Sequence, residues 1–494
     1  MPCLRTALLL IDYTVSFGNI QFPGLHFSPL QCMMQENLPD GRLSMKKRLC
    51  VLMVLSMLLS LLSLSSVSAE PLQDCHKVKN SYKDTKNANG SVVRLWQVKT
   101  ALDPVTEEIN GIAEAWAEEL GAGLPAAANA TGGNSRLDVE IRYSRTGLHW
   151  LSFMIQARTT YHRKVTDQRF TTRTYDMETG APVTLTDLFG DDVDAWNFLE
   201  ERVRDTLTAY WPDAEPDPSA LSALCTPGAL ADAPFTLHGM SLVLHYPASA
   251  LYPGRQTLME VSLFYPEIQG WLTPKAFEET DNLRYYKTCA LTFDDGPVNT
   301  NTAKVLTALM ETGARGTFFV IGNRVEDYYW LVQREHDEGH AVASHNWHHG
   351  DVRKVSGTQL KAMPELVNAA MNKVIGIPVR YNRVPGGLYP RMVSSGVDWA
   401  FIQWSLDTYD WRGISSGLVM SKVRSKLQDG DIILCHDIKP NTAESARRIA
   451  RYAEEQGYML LTIDELFAKD GVPLTSGTVY YRCAGGDYSK RSDP

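Results

Sequence analysis

From Leu283 onward the sequence alternates short apolar runs with helical stretches, and this alternation restricts the fold more than any other feature. The seven runs are Thr288–Phe293, Gly316–Ile321, His340–Ser344, Val379–Val384, Ala400–Leu406, Asp431–Leu434 and Tyr458–Ile463. Strands separated by helices pair in parallel through right-handed crossovers. We therefore predict an α/β fold in which these strands form an incomplete or distorted parallel barrel. A doubly wound open sheet is the alternative.

The preceding half of the chain has a different pattern, which predicts a smaller α+β domain over residues 91–275. Its three strand-like runs, joined by turn residues, are Arg136–Tyr143, Leu148–Ala157 and Arg169–Tyr175. They favour an antiparallel meander. Residues 105–120 and 193–210 have the apolar spacing of amphipathic helices. No spacing typical of metal ligands or of a catalytic nucleophile occurs in this half.

The first 70 residues contain a segment with the order of a secretory signal peptide. Met45-Lys46-Lys47-Arg48 is followed by an apolar stretch over 49–64 and by small residues up to Ala69. We predict cleavage after Ala69, and hence a secreted or envelope-associated protein. An uncleaved membrane anchor is the alternative, because the apolar stretch is close to membrane-spanning length. Residues 1–44 are interpreted as a start-site artefact, 70–90 as a linker and 471–494 as a C-terminal tail.

The net charge argues against a nucleic-acid partner, and the cysteine content argues against structural sites built on cysteines. The formal charge of −9 and a pI near 5.8 argue against a nucleic-acid partner. The cysteines that remain after the predicted cleavage are Cys75, Cys225, Cys289, Cys435 and Cys483. They are widely spaced and odd in number, so neither a disulfide scaffold nor a thiolate zinc site is expected.

Two adjacent carboxylates, Asp294 and Asp295, follow the first apolar run, and Gly296-Pro297 stops that run. This places both at the carboxyl end of a strand, where α/β barrels carry their catalytic groups. The repulsion between two such carboxylates must be offset by a cation, a metal or a shared proton. The alternative is an exposed Asp-Asp-Gly turn.

Two histidines, His345 and His349, follow the strand predicted to end at Ser344. They are four residues apart, so their imidazoles point the same way if a helical turn begins there. One carboxylate and two imidazoles leave positions open for water and substrate, as a catalytic zinc or another divalent ion requires. The alternative is a pair of solvent-exposed histidines on a loop.

Three further motifs end predicted strands. Arg383 precedes Pro385-Gly386-Gly387, and its guanidinium could hold one aspartate ionised while glycine amides face a developing oxyanion. A plain turn is the alternative there. Asp410 lies in a segment that again places a carboxylate at a strand end. His436 shares a strand face with Leu434 and, with a carboxylate in reach, is a candidate general acid.

In this order, the five motifs resemble the polysaccharide deacetylase family, also called the NodB-homology or carbohydrate esterase family 4 domain, over residues 283–470. The resemblance implies a distorted (β/α) barrel and metal-dependent removal of N- or O-acetyl groups from sugars. It implies a catalytic base at Asp294, metal ligands at Asp295, His345 and His349, a partner of the base at Arg383, an oxyanion-assisting amide at Gly386, an orienting carboxylate at Asp410, an acid at His436, and an acetyl pocket at Trp411 and Leu434. Zinc is the expected metal, with cobalt, nickel or manganese as alternatives.

The chain departs from the family pattern at two positions. Asn346 replaces the hydroxyl residue usual after the first metal histidine, but it can still hydrogen-bond within the loop. Gly386 stands where many members carry an aromatic residue, so one wall of the substrate groove is expected to be missing.

The first half also carries a resemblance. The segments Thr174–Gly180, Leu185–Phe189 and Ser241–Tyr246 look like parts of the extracytoplasmic domain of lysozyme-sensing anti-sigma factors of Gram-positive bacteria, over roughly 92–272. The resemblance implies that this domain binds a wall hydrolase or a glycan. An accessory domain with a purely packing role is the alternative.

Together these features favour peptidoglycan N-acetyl sugars as the substrate. Chitooligosaccharide or acetylated xylan is the alternative substrate. A second hypothesis from another class is a cell-envelope binding or sensor protein, in which the first half captures the ligand and the barrel is a scaffold.

Overall fold

The computed structural model describes residues 76–126 and 135–488, so the predicted signal segment lies outside it. The described residues belong to one compact unit, Ser68–Pro494. Among the described residues we find no helix that combines the length and the apolar character a membrane span requires.

The first part is built on a five-stranded sheet in the order β1-β2-β3-β4-β5. Its strands are β1 Lys79–Lys86, β2 Val92–Lys99, β3 Ser135–Thr146, β4 Trp150–Tyr161 and β5 Lys164–Asp176. Helix α1, Asp103–Ala122, begins with Pro104 in its first turn and buries Ile109 and Ala113 against one sheet face. Residues 79–86, which we predicted as part of a linker, pair with β2 instead.

A second, three-stranded antiparallel sheet follows, in the order β6-β7-β8. Its strands are β6 Phe235–Leu237, β7 Ser241–Pro247 and β8 Leu258–Phe264, and the helices around it are α2 Leu185–Phe189, α3 Val193–Thr208, α4 Pro218–Leu224, α5 Pro227–Ala231, α6 Ala248–Leu251, α7 Tyr265–Ile268 and α8 Pro274–Thr280. The turn between β6 and β7 contains Gly239, where a Cβ would lie only 2.4 Å from the sulfur of Met459. A side chain at position 239 would therefore require the Met459 and Leu461 side chains to move where this hairpin meets the barrel.

The second part is a sheet of nine strands among the described residues, ordered β14-β15-β9-β10-β11-β12-β13-β17, with β16 also pairing β9. All these pairings are parallel. The strands are β9 Lys287–Asp294, β10 Thr317–Val320, β11 Ala341–Ser344, β12 Tyr381–Asn382, β13 Ala400–Ile402, β14 Leu406–Asp407, β15 Asp431–His436, β16 Tyr458–Leu461 and β17 Val479–Tyr480. The helices are α9 Asn301–Met310, α10 Tyr329–Asp337, α11 Gly357–Lys361, α12 Met363–Val374, α13 Tyr389–Ser394, α14 Ser416–Lys426, α15 Thr442–Glu455 and α16 Ile463–Ala468.

Alternation along the strands separates two apolar layers. On β9, Leu291 and Phe293 face a core shared with the surrounding helices, whereas Ala290 belongs to a second cluster with Phe319 and Tyr381. The helices present apolar residues at helical spacing, and α15 buries Ala446, Ile449, Ala450 and Ala453. The predicted distorted (β/α) barrel, preceded by a smaller α+β part, is confirmed.

The barrel differs from the sequence prediction in two places. The run Ala400–Leu406 contains two strands, because the chain leaves β13 at Gln403 and rejoins the sheet at β14, next to β15. The segment from residue 471 onward, predicted as a tail, supplies β17, which pairs with β13. Arg482 then forms an antiparallel bridge with Asp431 at the start of β15. The segment after β17, at one edge of the sheet, therefore reaches β15, which lies next to the strand at the opposite edge.

Candidate active site

The two adjacent aspartates lie at the carboxyl end of β9, as predicted. Asp294 pairs in register with His436 of β15 and with Phe319 of β10, so three strands converge around it. Asp295 has a φ of 79°, in the left-handed region that costs a non-glycine residue about 1–3 kcal/mol and that clusters at functional sites. The exposed-turn alternative is excluded for Asp294, because its side chain is buried.

Arg383 lies on the segment after β12 and holds Asp294. Its guanidinium is fully buried and donates a 2.8 Å hydrogen bond to Asp294 Oδ1 and another of 2.8 Å to Thr292 Oγ1. It also donates to the carbonyls of Ile402 and Gln403. Asp294 is therefore paired with a permanent cation inside the barrel.

Asp295, His345 and His349 bring their donor atoms within 4.8 Å of one another. Asp295 Oδ1 lies 3.4 Å from His345 Nε2 and 3.2 Å from His349 Nε2. Ligands of one divalent ion at about 2.1 Å in tetrahedral geometry lie about 3.4 Å apart, which these distances match.

Two further observations support a metal at this position. Asp295 Oδ1 is buried and has no hydrogen-bond partner in the described part of the chain. The His345 ring lies with Nδ1 2.6 Å from the carbonyl of Arg383, so Nδ1 carries the hydrogen and Nε2 presents its lone pair. The residues present therefore fit a divalent cation.

The electrostatics keep Asp295 ionised. Burial by itself raises the pKa of Asp295, but the polar contact with the His345 imidazole and the charges of His345, His436 and His349 outweigh burial and lower the pKa to about 2. A ligand that is already ionised does not have to lose a proton when a cation binds.

His436 and Asp410 form the second pair of the site. His436 Nδ1 donates to Asp410 Oδ1 at 2.8 Å, and the backbone amide of His436 donates to Asp410 Oδ2 at the same distance. Thr442 Oγ1 also donates to Asp410 Oδ2, at 2.8 Å, which fixes the carboxylate. The other ring nitrogen of His436, Nε2, makes no hydrogen bond to Asp410.

The pKa of His436 is raised, as a general acid requires. Burial lowers this pKa, but the hydrogen bond to Asp410 and the negative charges of Asp294, Asp410 and Asp295 outweigh burial. His436 is therefore protonated over a wider pH range than an exposed histidine.

The remaining predicted site residues lie on the loops around this centre. Gly386 has a φ of 64°, so the turn after Arg383 needs a residue without a Cβ penalty. Leu434 is buried and lies two residues before His436 on β15. Trp411, next to Asp410, is 44% exposed. Asn346 accepts a 2.8 Å hydrogen bond from Asn382 of β12, so its side chain bonds to the neighbouring strand and not, as we had expected, within its own loop.

One buried residue beside the site was not predicted from the sequence. Asp437 follows His436, is fully buried, and accepts a hydrogen bond from Thr302 through one oxygen while the other has no partner among the described residues. Burial raises its pKa to about 7, and the charges of Asp295 and Asp294 add to the rise. A lone carboxylate after a histidine carries no signal of its burial, which the structure shows through its contact with Thr302 of α9.

The fold and the site define a class: an α/β barrel whose carboxylates and imidazoles meet at the carboxyl ends of parallel strands. The family model described as polysaccharide deacetylase matches residues 284–398. Peptidoglycan-N-acetylmuramic acid deacetylase PdaA of Bacillus subtilis is 30% identical over 197 residues, which cover 38% of this chain and 75% of that protein. The chain belongs to the polysaccharide deacetylase family.

Two other similarities extend the comparison. Peptidoglycan-N-acetylglucosamine deacetylase PgdA of Listeria monocytogenes is 36% identical over 203 residues, 41% of this chain, and the match spans only 43% of that relative. A solved structure of a family 4 acetyl xylan esterase from Clostridium thermocellum in complex with a cobalt ion is 31% identical, with 40% of this chain and 98% of that chain covered and a TM-score of 0.37.

Proposed function

We propose that the chain is a metal-dependent deacetylase that removes N-acetyl groups from the amino sugars of cell-wall peptidoglycan. The observation that carries the proposal is the convergence of Asp295, His345 and His349 beside the Arg383-bound carboxylate of Asp294. The names of the Listeria and Bacillus relatives support the substrate class. An extracytoplasmic location belongs to the same proposal, because that polymer lies outside the cell membrane.

The chain's own residues divide the reaction between them. Asp294, held in place by Arg383, accepts a proton from the water that attacks the acetyl carbonyl carbon. The Gly386 amide donates a hydrogen bond to the carbonyl oxygen as it gains negative charge. His436, protonated and oriented by Asp410, gives its proton to the departing amine.

A divalent cation completes this chemistry. Asp295, His345 and His349 would hold the ion, which supplies Lewis acidity toward the acetyl group and lowers the pKa of water. Zinc suits two imidazoles and one carboxylate, and cobalt, nickel and manganese suit the same donors.

Acetylated xylan is the second candidate substrate, because one relative favours it. The bifunctional xylanase/deacetylase of Pseudobutyrivibrio xylanivorans is 34% identical over 195 residues, 39% of this chain and 32% of that protein. Chitooligosaccharide is the third candidate.

The test measures acetate released from muropeptides, chitooligosaccharides and acetylated xylan, with and without a chelator. We expect release from muropeptides, loss on chelation and recovery when zinc is restored. Asp294→Asn should abolish release, whereas the matched variant Asp205→Asn, on an exposed face of α3, should not change it. Chelator-resistant release, or full activity of Asp294→Asn, would exclude this mechanism.

A further inference from the structure

One segment beside the catalytic acid is basic, in a chain whose formal charge is −9. Residues 411–428 contain four basic side chains, at positions 412, 422, 424 and 426, and no acidic one. The segment comprises the turn after Asp410, the loop that follows and helix α14. An excess of one charge sign at the rim of a site concentrates ligands of the opposite sign there.

The positively charged groups of Arg412 and Lys422 contact aromatic rings and not carboxylates. The Arg412 guanidinium is 4.7 Å from the centre of the Trp411 ring and 4.8 Å from that of Tyr409. Lys422 Nζ is 4.3 Å from the Tyr409 ring. Neither cation forms an ion pair within the part of the chain that the structure describes. Both cations share the Tyr409 ring and so belong to one patch, formed by Tyr409, Trp411, Arg412 and Lys422.

The patch is tied directly to the acid of the site. Tyr409 and Trp411 flank Asp410, whose carboxylate accepts the hydrogen bond from His436 Nδ1. Tyr409 has a φ of 57°, a conformation that costs a non-glycine residue free energy, and its amide donates to Asp407 Oδ1 at 2.7 Å. Asp407 Oδ2 also accepts a 3.4 Å hydrogen bond from the Trp411 ring nitrogen. The turn is therefore held in a conformation that keeps the patch next to His436.

We propose that Arg412 and Lys422 bind a carboxylate carried by the acetylated glycan, beside the sugar that is deacetylated. A guanidinium binds a carboxylate through two parallel hydrogen bonds, and a nearby ammonium adds a second positive charge. The inference rests on the proposed function, whose substrate class it narrows. Peptidoglycan bears carboxylates, whereas chitooligosaccharides and a xylan without uronic acid side groups bear none. Two groups supply this chemistry, the lactyl ether of muramic acid and the carboxylates of the peptide stems.

The test uses the full-length zinc-loaded chain and matched glycans. The probes are peptide-free peptidoglycan chains with a free lactyl carboxylate, the same chains as methyl esters, and muropeptides with intact stems. KM and kcat for acetate release are measured on each, and binding is measured by titration calorimetry. We expect a KM for the free carboxylate about tenfold below that for the ester, with the advantage shrinking as salt is added. If the peptide stems supply the carboxylate, the lower KM appears on the muropeptides, and the acid and ester forms of the peptide-free chains have equal KM values.

Arg412→Gln and Lys422→Gln should each remove most of this advantage, whereas Arg412→Lys should keep part of it because the charge remains. Lys164→Gln, which removes an exposed cation in the first part of the chain, should leave it intact. Equal KM values for the acid, the ester and the muropeptides, or an advantage that survives in the two glutamine variants, would overturn the inference. If no probe releases acetate but carboxylate-dependent binding persists, the proposed function fails and the carboxylate site stands.

Discussion

Arg383→Met tests the buried ion pair on which the proposed base depends. Arg383 is 0% exposed and gives Asp294 its cation at 2.8 Å. It also donates to Thr292 Oγ1 and to two backbone carbonyls, and it lies 4.0 Å from the centre of the Phe319 ring. Methionine fills a similar volume but donates no hydrogen bond, so Asp294 would remain as a buried charge without a partner.

Removing one partner of a buried pair costs about 3–5 kcal/mol, because the remaining charge has lost its compensation. We expect a fall of that size in the free energy of unfolding, measured by urea denaturation, together with loss of acetate release. The matched substitution Arg353→Met breaks a pair with Asp351 that lies at the surface. It should change stability far less, because water already screens that pair.

The double variant Arg383→Met/Asp294→Asn decides whether the charge is the cause. An amide at position 294 removes the uncompensated charge, so we expect the double variant to regain about 1–3 kcal/mol relative to the sum of the two single changes. Strict additivity would show that the loss comes from the other contacts of Arg383 and would refute the reasoning.

Three further predictions concern the site. His349→Ala should lose bound zinc, measured by elemental analysis, and full retention of zinc would contradict the proposed ligand set. Asp294→Asn should keep the metal and lose activity, whereas Asp295→Asn should weaken metal binding itself, so equal metal loss in both would show that their roles are wrongly divided. Asp410→Asn should lower the pKa of His436 and move the basic limb of the pH–rate profile to lower pH, since activity is lost as pH rises through that pKa; a limb that stays in place would assign it to another group.

Much of the barrel could be predicted because each strand joins an apolar run to a polar residue at its end. The run before Asp294 and the one before His345 are bounded this way, and both strands occur where they were expected. We expected the imidazoles of His345 and His349 to point the same way if a helical turn began there. Residues 345–349 form a bend instead, with a φ of 65° at Asn346, yet the donor atoms of the two histidines lie within 4.8 Å of each other and of Asp295. Strand ends that share one rim made this possible.

Other features could not be predicted because tertiary contacts alone determine them. Strand β17 has two residues, too few to show a period. Strands β13 and β14 share one apolar run, and only their pairing with different neighbours separates them. The raised pKa of Asp437 depends on burial among residues distant in sequence. The binding role predicted for the first half remains a prediction.

The buried interface between the two parts shows that the first half is not independent of the barrel, which the sequence alone could not reveal. Thr257 Oγ1 donates a 2.6 Å hydrogen bond to Asp337 at the end of α10, and Tyr210 lies 3.0 Å from His336 Nε2. These contacts join residues 80 and 126 positions apart in the chain. Sequence periodicity describes single elements and carries no information on such pairs.

The position of β17 has a consequence for the order in which the protein folds during synthesis. A nascent chain that extends only to residue 470 already contains every predicted catalytic residue, yet β13 has no outer neighbour, because its partner is β17. Until β17 pairs with it, the edge of β13 is open to strands of other chains. A stop codon between residues 470 and 479 would therefore yield a chain with a complete set of catalytic residues and an aggregation-prone sheet edge.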